Sequence, residues 1–488
     1  MSFFIYDISF LILFTLFVVI FLWKRKKNLQ REGIMYLYRT KVGVKFINYI
    51  GTKYKRTLRV LSFLAVISGY VLMLSMVYFL GKLLYIYFFV PEIVRAIKIP
   101  PLMPLIPYLP SLFKVDFLPP FYFTYWIIAI ACIAVFHEFA HGIIAKRYGV
   151  DIKTTGFGFL GPFLAAFVEP DEEQMQKKTK FQQIAVLSAG TFTNLILALI
   201  FFLMLAGFFV FAYVPAGAMF NSYATGIVTI GGISMIDGVG VSNPTAEGLL
   251  ATIAQNDLTD DLFLGSNGNQ LNLTKVIVND KTYYITIGNL KEQLEEQEEF
   301  LRLFEDMPAI NAGLRGTIIQ IESKEIMTTD DVGNVLENFH PGETITITTK
   351  DGEETLSYEI ELGEHPEIAG KSMIGIGYTG AQRGGIMGSV YEFFNFFRKP
   401  ATVYEPRFNA DIVIFIYNLI WWLALINFSV ALINMWPVAI FDGGRMFMLT
   451  VWAITGSEKF AQLTFKILTY LILGALLALM YGWFTAIF

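Results

Sequence analysis

Cysteine is almost missing from this chain: Cys132 is the only one in 488 residues. A single thiol forms no intramolecular disulfide framework and no cysteine-rich zinc ribbon. Charge is scarce as well, with Asp, Glu, Lys and Arg at 16% against roughly 25% in ordinary soluble proteins. A net charge of −4, without the basic footprint of a nucleic-acid binder, gives no support for such a role. Histidine occurs four times, at His137, His141, His340 and His365, so each placement is informative. What fills the chain instead is 55% hydrophobic and 16% aromatic. That is the composition of a membrane protein carrying some soluble mass.

The apolar residues fall into runs. The first, Met1–Trp23, is long enough to span a bilayer. It has no basic residues before it and no small-residue cleavage site after it, so it reads as an anchor rather than a signal peptide. The following segment, Lys24–Arg59, holds twelve Lys/Arg and one acid, Glu32. It reads as a solvated cytoplasmic loop near anionic lipid, which places the N-terminus outside. A second run, about Leu58–Val90, exceeds one span and fits a tilted helix or two pieces. Proline-rich Pro91–Pro120 breaks helix repeatedly. A third span, about Phe121–Ala145, ends at Lys146-Arg147, and Gly156–Pro170 is apolar but too broken for one helix. A hairpin or re-entrant loop, shielded from lipid by protein, fits it. The fourth span covers about Phe181–Tyr213.

From about Ala216 to Gly380 the chain has soluble character. Short β-rich runs, Thr344–Thr349 and Leu356–Leu362, are punctuated by Pro341-Gly342 and Asp351-Gly352. Lys291–Asp306 reads as an acidic helix with a solvated face. Apolar sequence returns at Ile412 and continues to Thr455, interrupted by polar and helix-breaking residues over Asn434–Gly444; a last span covers about Phe460–Phe488. The expectation is a polytopic α-helical membrane protein of six or seven spans with an inserted extracytoplasmic α+β domain. The blocks are 1–120, 121–213, 214–382 and 383–488.

The third span contains His137-Glu138-Phe139-Ala140-His141. On a helix, residues i and i+4 share a face, so both imidazoles can reach one metal ion. Glu138 is then placed to act as base toward a water that the metal activates. With so few histidines, a chance HExxH is expected on the order of 10⁻³ times. Ionisable side chains at bilayer depth also cost about 2.5–3.5 kcal/mol each on insertion scales, which calls for a compensating partner. The plainer reading is a polar interhelical network, or a motif lying at the interface, where burial costs little. A hydrolytic zinc site takes three protein ligands, and among the few carboxylates at membrane depth Asp442 stands out beside Pro437, Gly443 and Gly444. Its plainer reading is an Asp-Gly turn at a helix end.

An HExxH followed, in a later span, by Asn434-x-x-Pro437-x-x-x-x-Asp442-Gly443 resembles the site-2 protease family of intramembrane zinc metalloproteases. Ser188-Ala189-Gly190-Thr191-Phe192-Thr193-Asn194 is similar to that family's A-G-x-x-x-N pattern. Thr191 and Ala439 stand where many members have proline. The resemblance implies one Zn2+ per chain held by His137, His141 and Asp442, with Glu138 as catalytic base. It further implies that Asn194 and Asn434 hold the substrate backbone or stabilise the oxyanion. The implied substrates are transmembrane-anchored proteins already trimmed on the outer side, cleaved within a multi-pass cell membrane. Gly156–Glu169 is similar to the family's membrane-dipping β-hairpin, whose edge can receive an unwound substrate strand. Met307–Leu362 resembles a protease-associated PDZ domain, a module thought to filter substrates by size, and Gly232–Asp306 leaves room for a second copy or a helical cap.

Three alternatives bear on these residues. A different integral-membrane zincin would need a third-ligand glutamate at membrane depth, and none is suitable. A non-catalytic zinc-binding pseudoprotease would not need Glu138. A metal transporter would show acidic or histidine residues in several other spans, and these are lacking. His340 and His365 read as surface residues of the soluble region, and Cys132, five residues before His137, as a small apolar filler.

Overall fold

The structure is a computed structural model. It describes the chain outside residues 1–2, 34, 91–93, 95–99, 102, 114, 116–117, 161–162, 260–261, 265–269, 297–298, 366–367, 378–394 and 488. The chain divides into two compact units, Met1–Phe209 with Asp411–Phe488, and Val210–Ala410. Much of the proline-rich stretch and the hairpin tip lie outside the described residues.

The first unit begins with helix α1 (Phe3–Lys24). The basic segment after it, expected as a solvated loop, is ordered. Strands β1 (Leu29–Glu32) and β2 (Met35–Thr40) form a hairpin, and helix α2 (Val44–Lys53) follows. The alternation Met35-Tyr-Leu-Tyr-Arg-Thr40 suits a strand with two unlike faces. Helix α3 (Lys55–Phe89) is one piece of 35 residues, roughly 52 Å long; the second apolar run is therefore a single long helix.

Helix α4 (Phe123–Arg147) carries the HExxH residues. Lys146 and Arg147 in its last turn complement the helix dipole. Its first amides are capped from another helix. Asp7 of α1, 1% exposed, accepts from Phe123 N (2.8 Å), Thr124 N (2.8 Å), Thr124 Oγ1 (2.6 Å) and Tyr108 Oη (2.5 Å). A helix N-terminus leaves such donors without intrahelical partners, and a carboxylate is the group best suited to them.

Strands β3 (Ile152–Leu160) and β4 (Phe163–Pro170) form the hairpin expected after α4. Strand β2 adds to β3, pairing Tyr38 with Phe157, so the sheet order is β1-β2-β3-β4 and β4 is an edge. Helix α5 (Lys180–Ala212) leads out of the unit.

The second unit contains two six-stranded sheets. Strand β5 (Tyr213–Met219) belongs to the second of them. The first sheet comprises β6 (Thr225–Thr229), β7 (Ile233–Ile236), β8 (Val239–Gly240), β9 (Thr274–Val278), β10 (Lys281–Ile285) and β11 (Phe300–Glu305), in the order β6-β11-β10-β9-β7-β8. Helices α6 (Ala246–Gln255) and α7 (Ile287–Glu295) close its core, where Ile236, Leu249, Val276, Leu290 and Leu301 are buried. The acidic segment expected as one helix is thus α7 followed by β11. In Phe300–Glu305 the alternating Leu301 and Leu303 are fully buried, and a strand satisfies that period of two where a helix does not.

The second sheet adds β12 (Thr317–Ile321), β13 (Lys324–Glu325), β14 (Thr344–Asp351), β15 (Glu354–Glu361) and β16 (Thr402–Pro406). Its order is β15-β14-β12-β5-β16, with β13 also on β12. Helix α8 (Thr329–Leu336) packs on it, opened by a capping box of Thr328 and Asp331. The two modules share one connectivity. A strand, tight turn and short strand lead to a helix and then a hairpin, as β7-β8-α6-β9-β10 and as β12-β13-α8-β14-β15, the first module carrying in addition a strand pair, Leu262–Leu264 with Gln270–Asn272, after its helix. Because β16 pairs with β5, the unit extends beyond the expected 214–382 to Val210–Ala410.

The chain returns through helix α9 (Ala410–Asn434), then α10 (Asp442–Thr455) and α11 (Glu458–Ile487). Six helices, α1, α3, α4, α5, α9 and α11, are long and apolar enough to cross a membrane. With 14 residues, α10 reaches roughly 21 Å, short of a hydrocarbon core of about 30 Å. The count is therefore six among the described residues, and α10 is too short to be one of them. Helix α9 is the most enclosed, 56% buried over its apolar window against 11% for α1 and α11.

Candidate metal centre

Three elements distant in sequence build the centre. Helix α4 presents His137 and His141 one turn apart, with His137 buried and His141 half-buried. Asp442 comes from the first turn of α10. The chain reaches it through the turn after Asn434, where Gly443 and Gly444 lie against backbone. A Cβ on Gly443 would stand 2.3 Å from Met435 O, and one on Gly444 2.2 Å from Val438 O. Only glycine permits that approach, and the approach aims Asp442 inward.

The donor atoms converge. His137 Nε2 and His141 Nε2 lie 3.0 Å apart, while Asp442 Oδ2 lies 3.6 Å from the first and 3.4 Å from the second. A tetrahedral zinc with bonds of about 2.0–2.1 Å has ligand–ligand edges of roughly 3.3 Å. The triangle therefore fits zinc in both dimension and donor type. It is the cluster of metal-capable His, Cys and acidic side chains found among the described residues, and neither His340 nor His365 belongs to it. His340 is exposed beside Glu343, whereas His365, expected at the surface, is half-buried at the rim of a groove between α8 and Ser372–Ile376.

Helix α5 backs the two imidazoles. His141 Nδ1 lies 2.6 Å from Val186 O, and His137 Nδ1 lies 3.0 Å from the Asn194 side-chain amide. Between them sits Gly190, where a Cβ would stand 2.4 Å from His141 Nε2 and 2.6 Å from His137 Nε2. The ligand edge thus rests against bare backbone. Glu138 turns elsewhere: its Oε2 accepts from Val168 N of β4 at 3.2 Å.

Of the sequence-identified residues, His137, His141 and Asp442 meet at one point, and Asn194 touches His137. Asn434 ends α9, half-buried, with no side-chain hydrogen bond to this cluster. Sequence reasoning missed Val168 and Val186, which act through backbone atoms and leave no side-chain signature. It also missed Asp7, although Asp7 is the one charged residue in the first apolar run and so carried a signal.

A His–His–carboxylate triangle with a glutamate beside it, enclosed by apolar helices, defines an intramembrane metallopeptidase. Comparison with known proteins agrees. The sequence matches the model of Peptidase family M50 over residues 125–479, which takes in both motifs. Two Xylella fastidiosa proteins, from strains 9a5c and Temecula1 and each named "Putative zinc metalloprotease", are 21% identical to it over 414 and 406 residues. The alignments cover 69% and 68% of this chain and 92% and 90% of theirs. An uncharacterised protein of Methanocaldococcus jannaschii is 32% identical over 171 residues, 34% of this chain and 42% of its own. The chain belongs to Peptidase family M50, the site-2 type of intramembrane zinc metalloprotease.

Proposed function

We propose that His137, His141 and Asp442 hold one zinc ion, that Glu138 is the general base, and that the substrates are transmembrane-anchored proteins cleaved within their spans. The observation that carries this is the convergence of Asp442 with a histidine pair some 300 residues earlier, at 3.4 and 3.6 Å. Zinc, when bound, supplies Lewis-acid chemistry, polarising the scissile carbonyl and making water acidic enough to react near pH 7. Glu138 takes the proton of the attacking water and returns it to the leaving amine as the C–N bond breaks and the C–O bond forms. Strand β4, an edge beside Glu138, can pair with an unwound substrate segment, whose amides would otherwise be unsatisfied in lipid. Asn434, at the end of α9, is assigned to the substrate backbone on the family resemblance.

The charge pattern supports an orientation. Twelve Lys/Arg over Lys24–Arg59 and Lys146-Arg147 favour the cytoplasmic side. Six spans then put both termini and the Val210–Ala410 unit outside. The shared connectivity of its two modules supports a tandem PDZ-like reading, in which they admit only substrates already shortened on that side.

The test is zinc per chain in detergent-purified wild type, Asp442→Ala and Glu138→Gln, with cleavage of a transmembrane reporter. The expectation is about one zinc in wild type and Glu138→Gln, zinc largely lost in Asp442→Ala, and no cleavage by either variant. Cleavage by Glu138→Gln at the wild-type rate would sink the mechanism. Zinc retained by Asp442→Ala would sink the ligand set.

A further inference from the structure

Helix α5 presents Val186, Gly190 and Asn194 to the centre at intervals of four residues, hence on one face. The first and last contact the Nδ1 atoms of His141 and His137, while the middle one lies against their Nε2 atoms. A carbonyl oxygen only accepts, so Val186 O requires His141 to carry its proton on Nδ1, leaving Nε2 free for a metal.

His137 has the same geometry and needs the same tautomer, but its neighbour is an amide. Asn194 is fully buried. With its Nδ2 facing His137 Nδ1 at 3.0 Å, its Oδ1 is buried without any partner. If His137 offers Nε2 to a metal, Nδ1 is a donor and cannot bond to Nδ2, another donor. Exchanging the two ends of the amide, which are nearly identical in shape, pairs Nδ1–H with Oδ1 in the same plane and removes the donor–donor clash, leaving Nδ2 at the position that has no partner.

We propose that Asn194 is the positioning residue for His137: it accepts from Nδ1–H, fixes the tautomer and ring plane, and presents Nε2 to zinc, taking no part in holding the substrate backbone or the oxyanion. The inference rests on the ligand reading above. Complete enclosure of the side chain supports it, since an oxyanion donor must face the substrate cavity. Helix α5 is then the outer support of the whole histidine pair, through a main-chain carbonyl at one ligand and a side-chain carbonyl at the other.

The experiment compares detergent-purified wild type, Asn194→Leu, Asn194→Asp and Asp442→Ala, each checked for monodispersity. It reads zinc affinity by chelator competition and the ligand-field spectrum of the Co2+ form. Loss of an outer-shell partner typically weakens metal binding about 10–100-fold, and that loss is expected for Asn194→Leu together with a fall in tetrahedral Co2+ intensity. Asn194→Asp keeps an acceptor and is expected to restore both. Wild-type zinc affinity in folded Asn194→Leu, with kcat reduced, would overturn the proposal in favour of an oxyanion role. Should Asn194→Leu fail to fold, Asn194→Asp decides: loss of zinc there overturns the proposal too. Zinc retained by Asp442→Ala would instead overturn the ligand set on which the role depends.

Discussion

The backbone N–H of Val168 donates to Glu138 Oε2 at 3.2 Å, joining the edge of a β-hairpin to the residue assigned to proton transfer. Since N–H groups alternate sides along a strand, the N–H of Ala166 points the same way. A substrate strand laid along β4 would therefore run toward Glu138. Val168→Pro deletes the donor at an edge position, where proline is tolerated. A hydrogen bond to a charged group contributes about 1.5–3 kcal/mol, so kcat/KM is expected to fall roughly tenfold to a hundredfold with zinc retained. Val168→Ala, which keeps the N–H, is the control. Equal activity in the two variants would remove this contact from the mechanism.

Gly190→Ala tests the bare backbone behind the ligands. Its Cβ would lie 2.4 Å from His141 Nε2, so the imidazoles or α5 must shift. Zinc per chain, measured by elemental analysis, is expected to fall well below that of wild type. Full occupancy would show that the helix yields without cost.

Asp7→Leu removes an N-terminal cap delivered from a different helix. It leaves the Phe123 and Thr124 amides without their acceptor, and a loss of about 2–4 kcal/mol is expected. Asp7→Asn, which keeps one oxygen, should lose less. Thermal unfolding in detergent reads both, and an Asp7→Leu protein that melts with wild type would show the cap to be dispensable.

Acid should loosen the hairpin. The Thr154 hydroxyl, and next to it the Arg39 guanidinium at 3.1 Å, hold the Glu169 carboxyl below the usual carboxylate range, against the opposing effect of partial burial. A carboxyl whose folded pKa is depressed stabilises fully above the ordinary value of about 4.3 and loses that contribution as pH falls through the folded value. The pair is partly exposed, so the effect is under about 1 kcal/mol. Hydrogen-exchange protection at β2 and β4, corrected for the intrinsic rate at each pH, is expected to fall on acidification in wild type and to show no such step in Glu169→Gln.

The centre was legible where chemistry demands fixed spacing. His137 and His141 share a helical face because they are four apart, and Asp442 was marked by the helix breakers around it. The apolar runs likewise placed all six long helices. The hairpin β1–β2 was hidden because a basic composition outweighed the alternation of Met35–Thr40, and its pairing with β3 is a tertiary event. The break between α7 and β11 was hidden because glutamate continues across it without glycine or proline. For Asn194 the motif was visible but its partner was not. Which atom of His137 it meets depends on how α5 packs against α4, and no property of the residue itself reveals that.

The module from β6 to β11 enters at Thr225 and leaves at Glu305, and these ends are neighbours: Thr225 pairs with Phe304, and Glu305 N donates to Ala224 O at 2.8 Å. A segment whose two ends are already side by side can be excised and the gap closed with a short linker, without stretching the strands on either side. This detachable cassette offers a way to build a shortened protease that keeps β5, β12 and both motifs of the metal centre. Comparing it with the full chain would show whether the first module affects which substrates are cleaved.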